Sequence, residues 1–138
     1  MLNQLLNSPT VDYLSRGMSA ANLRQEVIGN NIANVNTPRF KKSDVVFESL
    51  LAKEMGLEDD THKLKMVRTQ DKHLGEAEPG RAYARVEIQE DTTMRTDKNN
   101  VDIDKEMAEL AKNQLYFSAR AKQMGGYFQK VKDILQSR

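Results

Sequence analysis

The sequence contains no cysteine and no tryptophan, and aromatic residues make up only 6% of its 138 positions. Without thiols there can be no disulfide framework, thiolate metal site or catalytic cysteine, and the chain suits any redox compartment. Apolar residues are scarce as well, at 38% with a mean hydropathy of −0.70, below the roughly 45–50% of ordinary domains. A generous autonomous core is therefore not expected. An excess of charge is missing too: 21 basic residues face 20 acidic ones, and Lys41–Lys42 is too short to be a phosphate-binding patch, which speaks against a nucleic-acid partner. The longest apolar runs are triplets such as Val45–Val46–Phe47, far short of the ~18 residues that span a bilayer. Met1–Leu2–Asn3–Gln4–Leu5–Leu6 lacks the basic and apolar regions of a cleavable signal; an exported chain of this kind would leave by another route.

Catalytic constellations are also wanting. His62 and His73 have no third ligand at metal spacing. The Glu58–Asp59–Asp60 cluster lacks the apolar setting that raises a carboxyl pKa for acid catalysis. Both read as solvated loops, and the expectation is a non-enzyme with no cofactor, no metal and no small-molecule substrate.

What the chain does have is helix. Ser8–Pro9–Thr10 reads as a helix start, with Ser8 as N-cap and Pro9 at the first helical position. Val11, Leu14, Met18, Ala21, Gln25, Ile28, Ile32 and Val35 then follow alternating three- and four-residue steps, a heptad seam interrupted only by Gln25. Such a helix runs about 25 residues, roughly 38 Å. It stops where asparagines crowd ahead of Pro38, which pushes Thr37 into extended geometry and removes a backbone donor.

A second seam returns at the other end: Ile103, Met107, Leu110, Gln114, Phe117, Ala121, Met124, Phe128, Val131 and Leu135. Asp102, Asp104 and Glu106 complement its N-terminal dipole. Each seam carries one glutamine, either a solvated edge or a device that selects helix register. Gly125–Gly126 reads as a kink, an early helix end or a point of close approach by a neighbouring helix, since two such glycines cost about 2 kcal/mol relative to alanine.

Between the seams the chain is sparse and charged. Ser43 to about Met55 reads as a short helix burying Val46, Phe47, Leu50 and Leu51 and ended by Gly56. Leu57–Asp60 and Glu76–Gly80 read as turns or loops, Arg81–Gln89 alternates like a half-buried strand, and Leu64–Arg68 is its candidate partner. The expected fold is mainly α: long N- and C-terminal helices paired antiparallel as a coiled-coil-like hairpin, with a small mixed α/β insert. Residues 1–38 form the N-terminal core helix and its stop, 39–98 the insert and 99–138 the C-terminal core helix. Isolated helices are marginal in water, so the ends of a free monomer are expected to order on assembly.

The stop segment carries the pattern Asn31, Ile32, Ala33, Asn34, Asn36, Thr37, Pro38, Phe40 and Lys41. With the helices beside it, this resembles the axial proteins of the bacterial flagellum: rod, hook and hook-associated subunits. Asn99 to Met107 and Asn113–Gln114–Leu115 are similar to the proximal rod subunits of that group, and the short length fits them too. Arg39 departs from the glycine common there and suggests a different local turn. The resemblance implies a structural subunit exported through the flagellar type III gate without signal cleavage, residing in the basal body in the periplasm. It implies helical polymerisation with copies of itself and other rod proteins, and contact with the rod adaptor at the MS ring and with the export gate. Phe47 and Leu51 match a Phe-x-x-x-apolar pattern that the resemblance links to export-gate recognition, although a core-facing helix turn explains them equally well. A non-polymerising helical adaptor or chaperone of a secretion apparatus, or a neighbouring rod subunit, stands as the alternative.

Overall fold

A computed structural model of the protein describes residues 8–55, 82–90 and 95–136. The first helix, α1 (Pro9–Ala33), starts where local chemistry says it should: Ser8 is extended and its hydroxyl accepts from the Val11 amide, with Pro9 in the first turn. The returning helix, α3 (Ile103–Gln136), begins after Asp102, whose carboxylate accepts from the amides of Asp104 and Lys105. It passes through Gly125–Gly126 without ending there. The two helices pack antiparallel, as their cross-links show: Asn31 meets Glu106, Ala21 meets Asn113, and Gly17 meets Arg120.

The stretch after Pro38 differs from the expected single helix. Its first part is a strand, β1 (Ser43–Val46), and only Glu48–Glu54 is helical, as α2. The strand pairs antiparallel with β2 (Arg85–Ile88), Val45 opposite Val86 and Ser43 opposite Ile88. β-branched Val45 and Val46 suit that pairing, and Asn31 supplies a side-chain ladder partner to Ser43. The strand expected at Arg81–Gln89 is shorter, and all of β2 is exposed rather than half-buried. Its proposed partner Leu64–Arg68, the turns at Leu57–Asp60 and Glu76–Gly80, Gly56, Glu58–Asp59–Asp60, His62 and His73 lie outside the described residues.

The core is small: Ala20, Ala21 and Ile28 of α1, with Val45, Phe47, Ala82 and Val101. None of the described helices is long and apolar enough to cross a membrane.

Candidate assembly surface

The line along which α1 and α3 meet follows the apolar seam only in part. On α1, Ala21 and Ile28 are buried, Leu14, Met18, Ile32 and Val35 half-buried and Gln25 exposed, and beside them Gly17 and Asn31 meet Arg120 and Glu106. On α3 the inward line is displaced from the seam. Leu110, Phe117, Ala121, Met124 and Val131 are half-buried, whereas Ile103, Met107, Gln114, Phe128 and Leu135 are exposed and Glu106 and Asn113 are buried. Neighbouring positions on a helix differ by about 100° in direction, so a one-residue displacement turns much of the apolar stripe away from the hairpin. Gln25 and Gln114 are both exposed. That placement favours the solvated-edge reading over a buried register device within the subunit.

Three polar links hold the helices together. The Asn31 amide donates to Glu106 Oε2 at 3.0 Å, the Asn113 amide to the Ala21 carbonyl at 2.8 Å, and Arg120 Nη1 to the Gly17 carbonyl at 3.2 Å. The absence of a side chain at Gly17 makes room for Arg120, whose Nε would lie 3.0 Å from an added Cβ. Asn113 Oδ1 is buried without a partner in the protein.

The corner is built by asparagines. Asn31, 1% exposed, donates to the Ser43 carbonyl at 2.8 Å and accepts from the Ser43 amide at 3.0 Å, standing in for a neighbouring strand. Asn34 donates to the Asn30 carbonyl and accepts from the Thr37 hydroxyl. Asn99, fully buried, donates to the carbonyls of Asn34, Val35 and Thr37 at 2.9–3.1 Å and accepts from the Val101 amide at 2.7 Å. Asn100 accepts from the Lys42 amide and donates to the Gln89 carbonyl. Together they satisfy backbone groups of the turn after α1, of β1 and of the loops that flank β2 and α3.

Of the remaining motif residues, Ile32, Phe40 and Lys41 are half-buried, while Ala33, Asn36, Thr37 and Pro38 are exposed. The Lys41 ammonium donates to the Glu90 carbonyl. Arg39 has φ 62°, the left-handed region that glycine occupies freely. The turn thus has glycine-type backbone geometry despite the arginine, rather than the altered turn expected from its presence.

Two arginines fasten the insert to α1. Arg16 makes a two-pronged contact with Glu54 at 2.7 and 3.0 Å and donates to the Ala82 carbonyl, while Glu54 accepts from the Ala82 amide. Arg24 grips Glu48 at 2.8 and 2.6 Å and donates to the Val45 carbonyl. The hydrogen bonds from Arg24 hold the Glu48 carboxyl below its ordinary range, against the opposing effect of burial, with Arg120 adding a weaker pull. Both guanidiniums are raised by their carboxylate partners.

These polar residues escaped a reading that followed apolar spacing. Their signal was present nonetheless: Gly17, Arg24 and Asn31 recur every seven residues, as do Glu106, Asn113 and Arg120. Phe47 is 1% exposed and Leu51 half-buried. Among the described residues no group of His, Cys, Asp or Glu is arranged to hold a metal ion.

The model of the family described as flagella basal body rod protein matches residues 12–41, which run from α1 through the asparagine corner to Lys41. The flagellar basal body rod protein FlgB of Bacillus subtilis (strain 168) is 37% identical over 130 residues, covering 94% of this chain and 95% of that protein. The chain belongs to the FlgB family of flagellar basal body rod proteins. FlgB of Borreliella burgdorferi is 34% identical over 92% of this chain and 96% of its own length. FlgB of Escherichia coli (strain K12) is 30% identical over 83% of each. A FlgB-family chain is a structural subunit of the flagellar rod.

Proposed function

We propose that this rod subunit polymerises helically through α1 and α3, linking the MS ring and export-gate region to the distal rod. The observation that carries this reading is the apolar surface left on α3. Leu115 is 74% exposed, Ile134 65%, Leu135 53% and Met107 52%, on a helix whose inward line holds Glu106, Asn113 and Arg120. Covering such residues yields about 25 cal/mol per Å². A heterologous, non-closing contact between copies generates a helical tube. The division into residues 1–38, 39–98 and 99–138 then separates two polymerising arms from an insert that fixes their angle. The motif residues Asn31, Ile32, Ala33, Asn34, Asn36, Thr37, Pro38, Phe40 and Lys41 set the corner between arm and insert.

In the proposed setting the subunit is exported by the flagellar type III system without signal cleavage and resides in the basal body, in the periplasm. It contacts copies of itself, other rod proteins, the rod adaptor at the MS ring and the export gate. Because Phe47 is buried in the folded subunit, gate recognition through Phe47 and Leu51 would act on the unfolded chain.

The absence of native cysteine allows a direct test. Single Leu115→Cys and Met107→Cys subunits should form cross-links within purified basal bodies using a short bifunctional reagent. Leu115→Asp should leave the monomer folded and stop rod formation. A normal rod containing Leu115→Asp, or cysteines at both positions that remain fully reactive to a bulky reagent in the assembled rod, would refute the proposal.

A further inference from the structure

We infer that the outer edge of β2 is a pairing site for the same strand of a second copy of this chain, joined antiparallel about a two-fold axis. The sheet has one closed edge and one open edge. Successive residues of an antiparallel strand turn their backbone groups to opposite sides. The Gln89 amide donates to the Lys42 carbonyl, which fixes the residues that face the partner strand. By that register Ser43 and Val45 of β1, and Val86 and Ile88 of β2, point away from the ladder.

On β1 the outward groups are taken within the subunit. Asn31 serves both backbone groups of Ser43, Arg24 the Val45 carbonyl and the Asp44 carboxylate the Val45 amide. On β2, among the described residues, no hydrogen bond engages the outward groups of Ala84, Val86 or Ile88, and the whole strand is exposed. Tyr83 and Ile88 are 64% and 63% exposed beside them. An open edge with apolar side chains templates a further strand.

The edge selects its own occupant. With β1 closed, β2 is the strand that another copy has to offer among the described residues. Ala84–Ile88 is complementary to itself about Val86: in antiparallel pairing Val86 lies opposite the partner's Val86, Ala84 opposite Ile88, and Arg85 opposite Glu87. The residues with outward backbone groups then carry the hydrogen bonds. Arg85 and Glu87 share one face of the strand and already pair with each other in solvent, and across the two-fold each gains a second opposite charge. Sliding the pair by two residues, the smallest shift that keeps the hydrogen bonds, sets Arg85 against Arg85 or Glu87 against Glu87, which is unfavourable. So short a strand pair buries less than a standard interface and dissociates in roughly the 0.01–1 mM range. A two-fold contact closes on itself, so this pairing is separate from the non-closing contact through α1 and α3.

The test uses the full chain, which has no native cysteine. At high concentration the parent should sediment as a mixture of monomer and dimer. Arg85→Glu or Glu87→Arg alone sets like charges opposite each other and should weaken pairing about ten-fold, while an equal mixture of the two variants should recover it. That recovery is not produced by a merely structural role of either residue. Val86→Cys should cross-link to its own copy with a short bifunctional reagent, whereas Ile88→Cys, separated from its copy by about 13 Å of strand, should not. A parent that stays monomeric up to about 1 mM, as occupancy of the edge by another part of the chain would produce, overturns the inference. So do single charge variants that pair like the parent, a mixture that stays monomeric, or Ile88→Cys cross-linking as readily as Val86→Cys.

Discussion

Replacing Asn99 with alanine removes the fastener of the corner without touching an apolar contact of either long helix. The amide hydrogens serve three backbone carbonyls, of Asn34, Val35 and Thr37, and its oxygen serves the Val101 amide. Two hydrogens and one acceptor make about three effective hydrogen bonds, each contributing about 1 kcal/mol net. The site is fully buried, so water cannot readily take over, and the groups left behind add to the cost. Each of the three carbonyls keeps another donor, the Thr37 amide at Asn34, Arg95 at Val35 and the Phe40 amide at Thr37, so the added cost falls mainly on the Val101 amide. Asn99→Ala should therefore lose about 3 kcal/mol, a large share of the roughly 5–15 kcal/mol that holds a domain together. Urea unfolding followed by far-ultraviolet circular dichroism reads this directly, with an unchanged m-value if only the folded state is affected. Asn99→Asp sharpens the argument. Its carboxylate would face three carbonyl oxygens, which raises its folded pKa above the unfolded value. Stability is then greatest in acid, where the carboxyl can donate, and falls as pH rises through the ordinary carboxyl range. A loss under about 1 kcal/mol for Asn99→Ala, or an Asn99→Asp variant no weaker at neutral pH than the parent after correction for the parent's own pH dependence, would show that the corner is held by something else.

Other consequences are smaller. Gly125→Ala and Gly126→Ala meet nothing within 4 Å in the subunit, so each should stabilise the monomer by up to about 1 kcal/mol. Impaired rod formation by these stabler monomers would mark the glycines as a site of close approach between subunits, and a lowered melting temperature would contradict the open space around them. Glu48→Gln should cost less than about 1 kcal/mol at neutral pH, because the carboxylate is half exposed. Since the folded carboxyl pKa is lowered, the contribution of the charge is present above the ordinary carboxyl pKa and lost as pH falls through the folded value, so paired pH titrations of stability should converge in acid. Asn113→Leu removes a buried oxygen without a partner at the expense of one bond to Ala21, and should change stability by no more than about 1 kcal/mol in either direction; a loss above about 3 kcal/mol would show that this amide is central to the helix pairing.

Much of the secondary structure was legible because its causes are local. Ser8 and Pro9 start α1 through groups within one turn, Asp102 does the same for α3, and Pro38 with its asparagines prevents continuation. Periodicity likewise identified two amphipathic helices, since spacing along a helix converts directly into direction around it. Two features depended on distant partners. The segment Ser43–Val46 became a strand because Asn31 and β2 supply its hydrogen bonds, and no local signal separates a short apolar run of that kind from a helix turn. The pairing line of the long helices was settled by tertiary contacts as well. Glu106, Asn113 and Arg120 find partners on α1, and burying them is favourable only where those partners wait. From the sequence by itself came the two arms, the asparagine corner between them and a pattern resembling flagellar axial proteins. The fold decided which way the arms face: Asn31, Glu106 and Arg120 turn inward, where each finds a partner across the hairpin, and part of the α3 apolar seam turns outward.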